Sequence, residues 1–224
     1  MTCHEDRLLS QFHPLVAYII ANPEGQYSHP LLRETAILCF CRYLTISSQL
    51  CEQYLSLFFT VLTRETNENY RITMMVTIGD LCIRFPNLIE PWTIHLYGRL
   101  LDVSSLVREN ALMILIHLIL NDMIKVKGQI SFIVMCLMDP NDKIKSLTQL
   151  FFIELSKRSN NPVYNLLGDI IGTLSREEGE SEEEKEQKGV IEIGEGLTMK
   201  KKHLLPKEFQ EIMTFVLSFV TKDK

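Results

Sequence analysis

The sequence predicts an all-α fold, a solenoid built from antiparallel helix pairs, and three observations lead to this class. Apolar residues recur at helical spacing over long windows, for example at Val107, Ala111, Leu115 and Leu118. The Asn-Gly and Asp-Gly dipeptides that favour β-hairpins do not occur in the 224 residues. A pattern of charged residues also repeats with a period of about 37 residues, and such self-similarity is typical of repeat architectures.

The repeat is defined by a base and by an acid that stands six residues before it. The bases are separated by 38, 37 and 37 residues: Arg33, Arg71, Arg108 and Lys145. The acids precede the last three bases: Glu65, Asp102 and Asp139. The first copy has Tyr27 in the place of the acid, and terminal repeats are often atypical. Because two independent features share one period, the pattern indicates a repeated structural unit.

A unit of 37 residues accommodates two helices of about 12 to 16 residues with two short turns. We expect the acid to close the first helix or cap the second, and the base to lie on the first turn of the second helix. Stacked units would then bring acids and bases together in a ladder along the intra-repeat turns. Exposed ion pairs of this kind contribute about 0 to 1 kcal/mol each, so the buried apolar stripes supply most of the stability.

The predicted helices follow in pairs along the chain. In order they span 8–21 with 31–44, 49–62 with 70–84, 91–101 with 106–120, 127–137 with 143–157, and 163–174, which opens one more unit. Prolines stand just before or inside four helix starts, where a missing N–H has no cost: Pro30, Pro91, Pro162 and Pro206. The tetratricopeptide and ankyrin signatures are absent, so we assign residues 1–175 to a solenoid of the HEAT kind.

The repeat breaks at 176, where the next acid is due. Residues 176–188 hold seven Glu against one Arg and two Lys, a net charge of −4 out of −5 for the whole chain. Residues 176–205 also contain four glycines and the cluster Lys200–Lys202, so we predict an acidic, flexible and disordered insertion over this range. Ser181 precedes three glutamates and is a candidate site for an acid-directed kinase, and a merely solubilising loop is the alternative. Residues 206–224 then form a final amphipathic helix that packs on the last repeat.

Composition and charge exclude several classes of protein. Outside residues 176–188 the net charge is only −1, which argues against a strongly basic nucleic-acid surface. The longest apolar run, Ala111 to Leu120, is about half of a membrane span, and the N-terminus lacks a secretory signal. The six cysteines lack the spacing of a disulfide framework, and we expect reduced thiols in the core of a soluble cytosolic or nuclear protein.

No catalytic arrangement is found in the sequence, so we predict that the protein is not an enzyme and uses no metal or cofactor. There is no phosphate-binding loop, and Cys39 and Cys41 would lie about 200° apart on one helix. His95 and His117 have no partner at metal-binding spacing, and Trp92 is expected to pack in the core.

The loop 121–129, NDMIKVKGQ, is the candidate binding segment, because loops on a rigid solenoid are where binding concentrates. It has two lysines, a glycine and a single acid, and a solvated turn is the alternative interpretation. Its candidate residues are Asn121, Asp122, Lys125, Lys127 and Gly128.

Three long stretches resemble a known family. They are GDLCIRFPNLIEPWT at 79–93, VRENALMILIHLILNDMIKVKGQ at 107–129 and FFIELSKRSNNPVYNLLGDIIGTLS at 151–175. These stretches resemble the C-terminal HEAT region of the condensin complex subunit 1 family, the D-type non-SMC subunits, and the condensin I type more than condensin II. The resemblance runs from about residue 8 to 175 and includes the final helix.

The resemblance implies a scaffold without catalysis of its own. Family members bind an SMC ATPase head and kleisin, contact DNA through the complex and support mitotic chromosome condensation. It implies localisation in the nucleus and on mitotic chromosomes, otherwise in the cytoplasm, with no membrane or small-molecule partner. The family's Lys-Gly loop is associated with SMC-head docking and matches Lys127-Gly128. Family subunits are several times longer than this chain. The alternative function is that of a HEAT-type trafficking or nuclear-transport adaptor that binds cargo peptides.

Overall fold

The protein is all-α and belongs to the HEAT-type solenoid class that the sequence predicts. A computed structural model describes residues 11–124, 130–158, 162–174, 190–192, 198–200 and 206–219. The chain divides into two compact units, Met1–Thr93 and Ile94–Lys224, and each is described separately below.

The first unit is formed by two layers of helices. Its elements in order are α1 His13–Ala21, α2 Pro30–Ile46, α3 Ser48–Arg64, α4 Glu68–Arg84, α5 Pro86–Ile89 and a 3₁₀ turn at Glu90–Trp92. The helix α2 packs against α1, α3 and α4, while α1 also contacts α3. One layer therefore holds the first helix of each repeat and the other holds the second helix. The predicted helices 31–44, 49–62 and 70–84 are confirmed, with ends that differ by one or two residues.

The second unit continues the same alternation. Its elements are α6 Thr93–Gly98, a 3₁₀ turn at Arg99–Leu101, α7 Ser105–Leu120, α8 Ile130–Met135, a 3₁₀ turn at Cys136–Met138, α9 Asp142–Ser156, α10 Pro162–Leu174 and α11 Pro206–Leu217. The second helices α7 and α9 pack together, and the first helices α8 and α10 pack together. The helix α11 contacts α10, and the ring of Phe215 lies 6.3 Å from that of Phe152.

Residues 91–101 are helical as predicted, but only Thr93–Gly98 (α6) is an α-helix, and 3₁₀ turns form both ends. The short helix α5 precedes the first of these turns, which contains Pro91. Proline cannot donate the i to i−4 hydrogen bond and crowds the preceding turn, so the ladder of α-helical hydrogen bonds is interrupted there. Trp92 packs as expected, because its ring stacks on Phe59 with centroids 4.7 Å apart.

The core contains most of the cysteines, and all those described are free thiols. Burial raises the pKa of Cys41 and Cys51 to about 11 and that of Cys82 and Cys136 to about 12. These four thiols therefore stay protonated and unreactive at neutral pH. The expectation of a core thiol is wrong for Cys39, which is exposed because it lies on the opposite face of α2 from Cys41. Cys3 lies outside the described residues.

Two short strands lie within 176–205, where the sequence analysis predicted none. Val190–Glu192 (β1) and Thr198–Lys200 (β2) pair in antiparallel fashion, with Ile191 opposite Met199. Both strands contain β-branched residues, which favour extended backbone over helix. The rest of the predicted insertion, including Ser181, lies outside the described residues.

Candidate functional site

An ion pair joins the base of one repeat to the acid of the next in each unit. In the first unit Nη2 of Arg33 lies 2.7 Å from Oε2 of Glu65. In the second, Nε and Nη2 of Arg108 donate to the two carboxylate oxygens of Asp139, at 2.8 and 3.1 Å. The predicted ladder is thereby confirmed at these two steps, and the second step has the two-pronged geometry that only arginine can make.

The acids of the ladder close the first helix of each repeat, as expected. Glu65 is the C-cap of α3, and Asp102 and Asp139 are the C-caps of the two 3₁₀ turns of the second unit. Each carboxylate also accepts the backbone N–H two residues later, at 3.0, 3.0 and 2.8 Å respectively. The acid therefore shapes its own turn besides pairing with a neighbouring repeat.

The ladder arginines also donate hydrogen bonds to backbone carbonyls of the turns that contain the acids. Nη1 of Arg108 donates to the backbone carbonyls of Asp102 and Val103, at 2.8 and 3.1 Å. Nη1 of Arg71 makes the equivalent bonds to Glu65 and Thr66, at 3.1 and 2.7 Å. One guanidinium thus satisfies two carbonyls that the helix end leaves open, and it does so at the same register in successive repeats.

A third repeated feature was not recognised in the sequence. The residue four positions before each base is the N-cap of the second helix, and its side chain accepts a backbone N–H at the helix start. These residues are His29, Asn67, Ser104 and Asn141. Three of the four are favoured N-cap types, so the capping preference at the 37-residue period was an available signal.

The candidate loop 121–129 begins at a tightly closed helix end. The N–H of Asp122 donates to the carbonyl of Ile119 at 3.1 Å, and that of Met123 donates to Leu118 at 2.9 Å. This is the Schellman pattern, which requires a left-handed residue just after the helix. Asp122 takes that conformation with φ of 56°, a position where glycine is usual and aspartate is tolerated.

Arg158, just after α9, anchors this point from the following repeat. Its Nη1 lies 2.7 Å from Oδ1 of Asp122, and its guanidinium also donates to the backbone carbonyls of Ile119 and Leu120. The first residues of the loop are thus fixed by the next repeat as well as by their own helix. The role of Arg158 was not recognised in the sequence, although this residue stands 37 residues after Asn121, one full repeat along the chain.

The structure describes only two of the five predicted loop residues. Asn121 and Asp122 are both exposed at the end of α7, and Nδ2 of Asn121 donates to the carbonyl of His117 at 2.7 Å. Lys125, Lys127 and Gly128 lie outside the described residues. The site that can be described is therefore a rigid starting point for the loop.

Within the part of the chain that the structure describes, we find no catalytic arrangement of titratable side chains. Burial, with a smaller effect of Arg99, lowers the pKa of His95 to about 4, so its ring is neutral at pH 7. No group of three or more His, Cys, Asp or Glu side chains among the described residues is placed to hold a metal ion. No helix in the described ranges is long and apolar enough to cross a bilayer.

Comparisons with known proteins give a consistent result. The sequence profile of the family described as "non-SMC mitotic condensation complex subunit 1" matches residues 69–224. The chain is 44% identical over 216 residues to condensin complex subunit 1 of Xenopus laevis, and 42% identical over 216 residues to that of Homo sapiens. Both matches cover 96% of this chain and 14% of the relative, so the chain spans about a seventh of their length.

A plant pair allows the two condensin types to be compared. The chain is 44% identical over 178 residues to the condensin-1 complex subunit CAP-D2 of Arabidopsis thaliana, which covers 80% of this chain and 13% of the relative. Identity to the condensin-2 complex subunit CAP-D3 of the same plant is 26% over 129 residues, which covers 57% of this chain and 10% of the relative. The similarity is therefore greater to the condensin I type, as the sequence analysis expected.

Proposed function

The chain belongs to the family of non-SMC mitotic condensation complex subunit 1, and we propose that it is a non-catalytic scaffold segment of such a subunit. It binds an SMC ATPase head and kleisin and supports mitotic chromosome condensation. The family match over 69–224 carries this proposal, because that range contains the whole loop 121–129 and the Arg108–Asp139 ion pair. The alternative of a trafficking adaptor has no comparable support.

The proposed docking element for the SMC head is the loop 121–129, with Asn121, Asp122, Lys125, Lys127 and Gly128. Support comes from the anchored start of the loop, where the Schellman turn and Arg158 hold Asp122. Fixing one end of a loop lowers the conformational entropy that is lost when the loop binds. The two lysines then offer positive charge to an acidic surface of the partner.

The wider role follows from the same family membership. A repeat scaffold can bind both kleisin and the SMC head, because each helix pair presents its own surface. DNA would be contacted through the complex, since the chain has a net charge of −5 and the fragment is not strongly basic. We propose localisation in the nucleus and on chromosomes in mitosis, and in the cytoplasm otherwise.

Charge reversal in the loop tests the docking element. The double variant Lys125→Glu, Lys127→Glu is expected to bind the SMC head at least about tenfold more weakly in a pull-down titration, because two attractive charges become repulsive. The melting temperature should stay unchanged. The matched control is Lys143→Glu, Lys207→Glu, which makes the same charge change at two exposed lysines outside the loop. Undiminished binding by the loop variant, with an unchanged melting temperature, would refute the assignment.

Ser181 is the proposed phosphorylation site, because three glutamates follow it directly. Phosphorylation would add up to about two negative charges to a segment that is already acidic. We expect incubation with an acid-directed kinase to give one dominant phosphopeptide that contains Ser181, detected by mass spectrometry. Ser181→Ala is the control, and an equal phosphate incorporation in that variant would exclude the site.

A further inference from the structure

Each repeat exposes an apolar side chain at the same register, five residues after the ladder base. These residues and their exposed fractions are Leu38 44%, Val76 49%, Met113 43% and Leu150 56%. Single exposed apolar residues are common on protein surfaces and need no explanation. Four in successive repeats, each on the second helix, indicate a surface that the repeat preserves.

In the first unit two of these side chains line one groove. The groove lies between α2 and α4, has a volume of about 700 Å³ and contains Leu38 and Val76 together with Ile83, which is 51% exposed. Its floor is formed by buried residues, Cys41 and Thr77. A groove of this volume lies within the range of ligand-binding clefts, and an apolar helix or strand can insert side chains into it.

The charges around the groove are mostly positive. Arg42 on α2 and Arg84 at the end of α4 are both exposed, and Asp80 is the single acid that lines the groove. Neither guanidinium forms an ion pair with any described residue, although the Cζ atom of Arg84 lies 5.8 Å from the ring centroid of Phe85. Two arginines without ion-pair partners among the described residues, beside the exposed apolar side chains of the groove, favour an acidic, partly apolar ligand.

We propose that the α2–α4 groove is a docking site for an amphipathic segment of another polypeptide chain. Apolar side chains of that segment pack on Leu38, Val76 and Ile83, and its acidic side chains pair with Arg42 and Arg84. The protein's own acidic run, 176–188, does not suit this groove because it contains no large apolar residue. Duplex DNA does not suit it either, because exposed apolar side chains line the groove and Asp80 would repel phosphate.

This inference is independent of the docking element proposed for the SMC head, because it does not involve the loop 121–129. The groove residues fall within 38–84 and belong to the first unit, whereas the loop belongs to the second. Charge reversal in the loop and substitutions in the groove therefore test the two proposals separately.

Selection from a phage-displayed library of random 16-residue peptides tests the proposal with the full chain. We expect the enriched peptides to share apolar residues at helical spacing with flanking Asp or Glu. Synthetic copies should bind at least about tenfold more weakly to Val76→Glu and to Arg42→Glu, Arg84→Glu. The matched controls are Val103→Glu, which changes a residue that is 98% exposed outside the groove, and Lys143→Glu, Lys207→Glu. Repeating the selection on the arginine double variant should enrich Lys or Arg in place of the acids.

Three results would overturn the proposal. The first is a selection without a shared apolar and acidic pattern. The second is equal affinity of the selected peptides for the native chain and for both groove variants, with all melting temperatures matched. The third is displacement of the peptides by duplex DNA or by a synthetic 176–188 peptide, which would assign the groove to one of those ligands instead.

Discussion

The side chains of Arg108 and Asp139 illustrate how single residues define this fold. They are 13% and 8% exposed, and each also bonds to backbone groups of its own turn. The sequence analysis expected exposed pairs of small value, but the observed burial changes the energetics. When one partner of a buried pair is removed, the other charge stays desolvated without compensation.

Replacing Arg108 should therefore destabilise the second unit. We expect Arg108→Ala to lower the free energy of unfolding by about 3 kcal/mol, because Asp139 and two turn carbonyls lose their donor. Urea denaturation measures this change. Arg108→Lys should cost less, since the charge remains while the two-pronged geometry is lost.

Lys157→Ala is the control for Arg108→Ala, because Lys157 pairs with Glu154 but its side chain is 63% exposed. We expect a change within about 0.5 kcal/mol for that variant. Equal, small effects of Arg108→Ala and Lys157→Ala would show that the ladder does not hold the repeats in register.

At the scale of the element, the C-terminal end of α7 is bound by Arg158, which lies two residues after the end of α9. Arg158 binds the open carbonyls of α7 and the carboxylate of Asp122, so the start of the loop is ordered by the next repeat. Helix ends without such partners fray and exchange their amide hydrogens quickly.

Hydrogen exchange tests this coupling between two elements. In Arg158→Ala we expect the amides of Asp122 and Met123 to exchange at least about tenfold faster than in the native chain, while those of α2 and α4 are unchanged. Lys157→Ala, one residue earlier in the chain, is the matched control. Unaltered exchange at Asp122 and Met123 in Arg158→Ala would mean that the Schellman turn alone orders the loop start.

Most helices could be predicted because their signals are local and repeated. The apolar period and the base–acid spacing define the helix pairs. The preference of proline for the first turn correctly predicts the helix starts at Pro30, Pro162 and Pro206. The 3₁₀ turns at the two ends of the predicted helix 91–101 were not predicted, because the apolar period does not distinguish 3₁₀ from α-helical hydrogen bonding over three residues.

The side-chain contacts of the site were harder to predict than the helices. The ion-pair ladder could be predicted from the 37-residue period of acids and bases. The role of Arg158 depends on the distance between the ends of α7 and α9, which no local sequence pattern encodes. The exposed apolar position in each repeat, at Leu38, Val76, Met113 and Leu150, was not recognised in the sequence. Their exposure became visible only when the packing of the second helices fixed which face is buried.

At the scale of the molecule, the chain divides into two compact and largely helical units, and residues 176–188 of the second carry a net charge of −4 out of −5. It spans about 14% of the length of its animal relatives. The proposed SMC-head loop and the proposed peptide groove lie in different units. A scaffold of this kind can therefore bring two partner segments to one chain.

The central claim is that this chain binds the SMC head and kleisin, and co-purification tests it most directly. The tagged chain is expressed together with an SMC ATPase head and kleisin, and the Lys125→Glu, Lys127→Glu variant is purified in parallel. We expect both partners to stay bound to the native chain through gel filtration, and we expect the variant to lose the SMC head. Elution of the native chain free of both partners would contradict it.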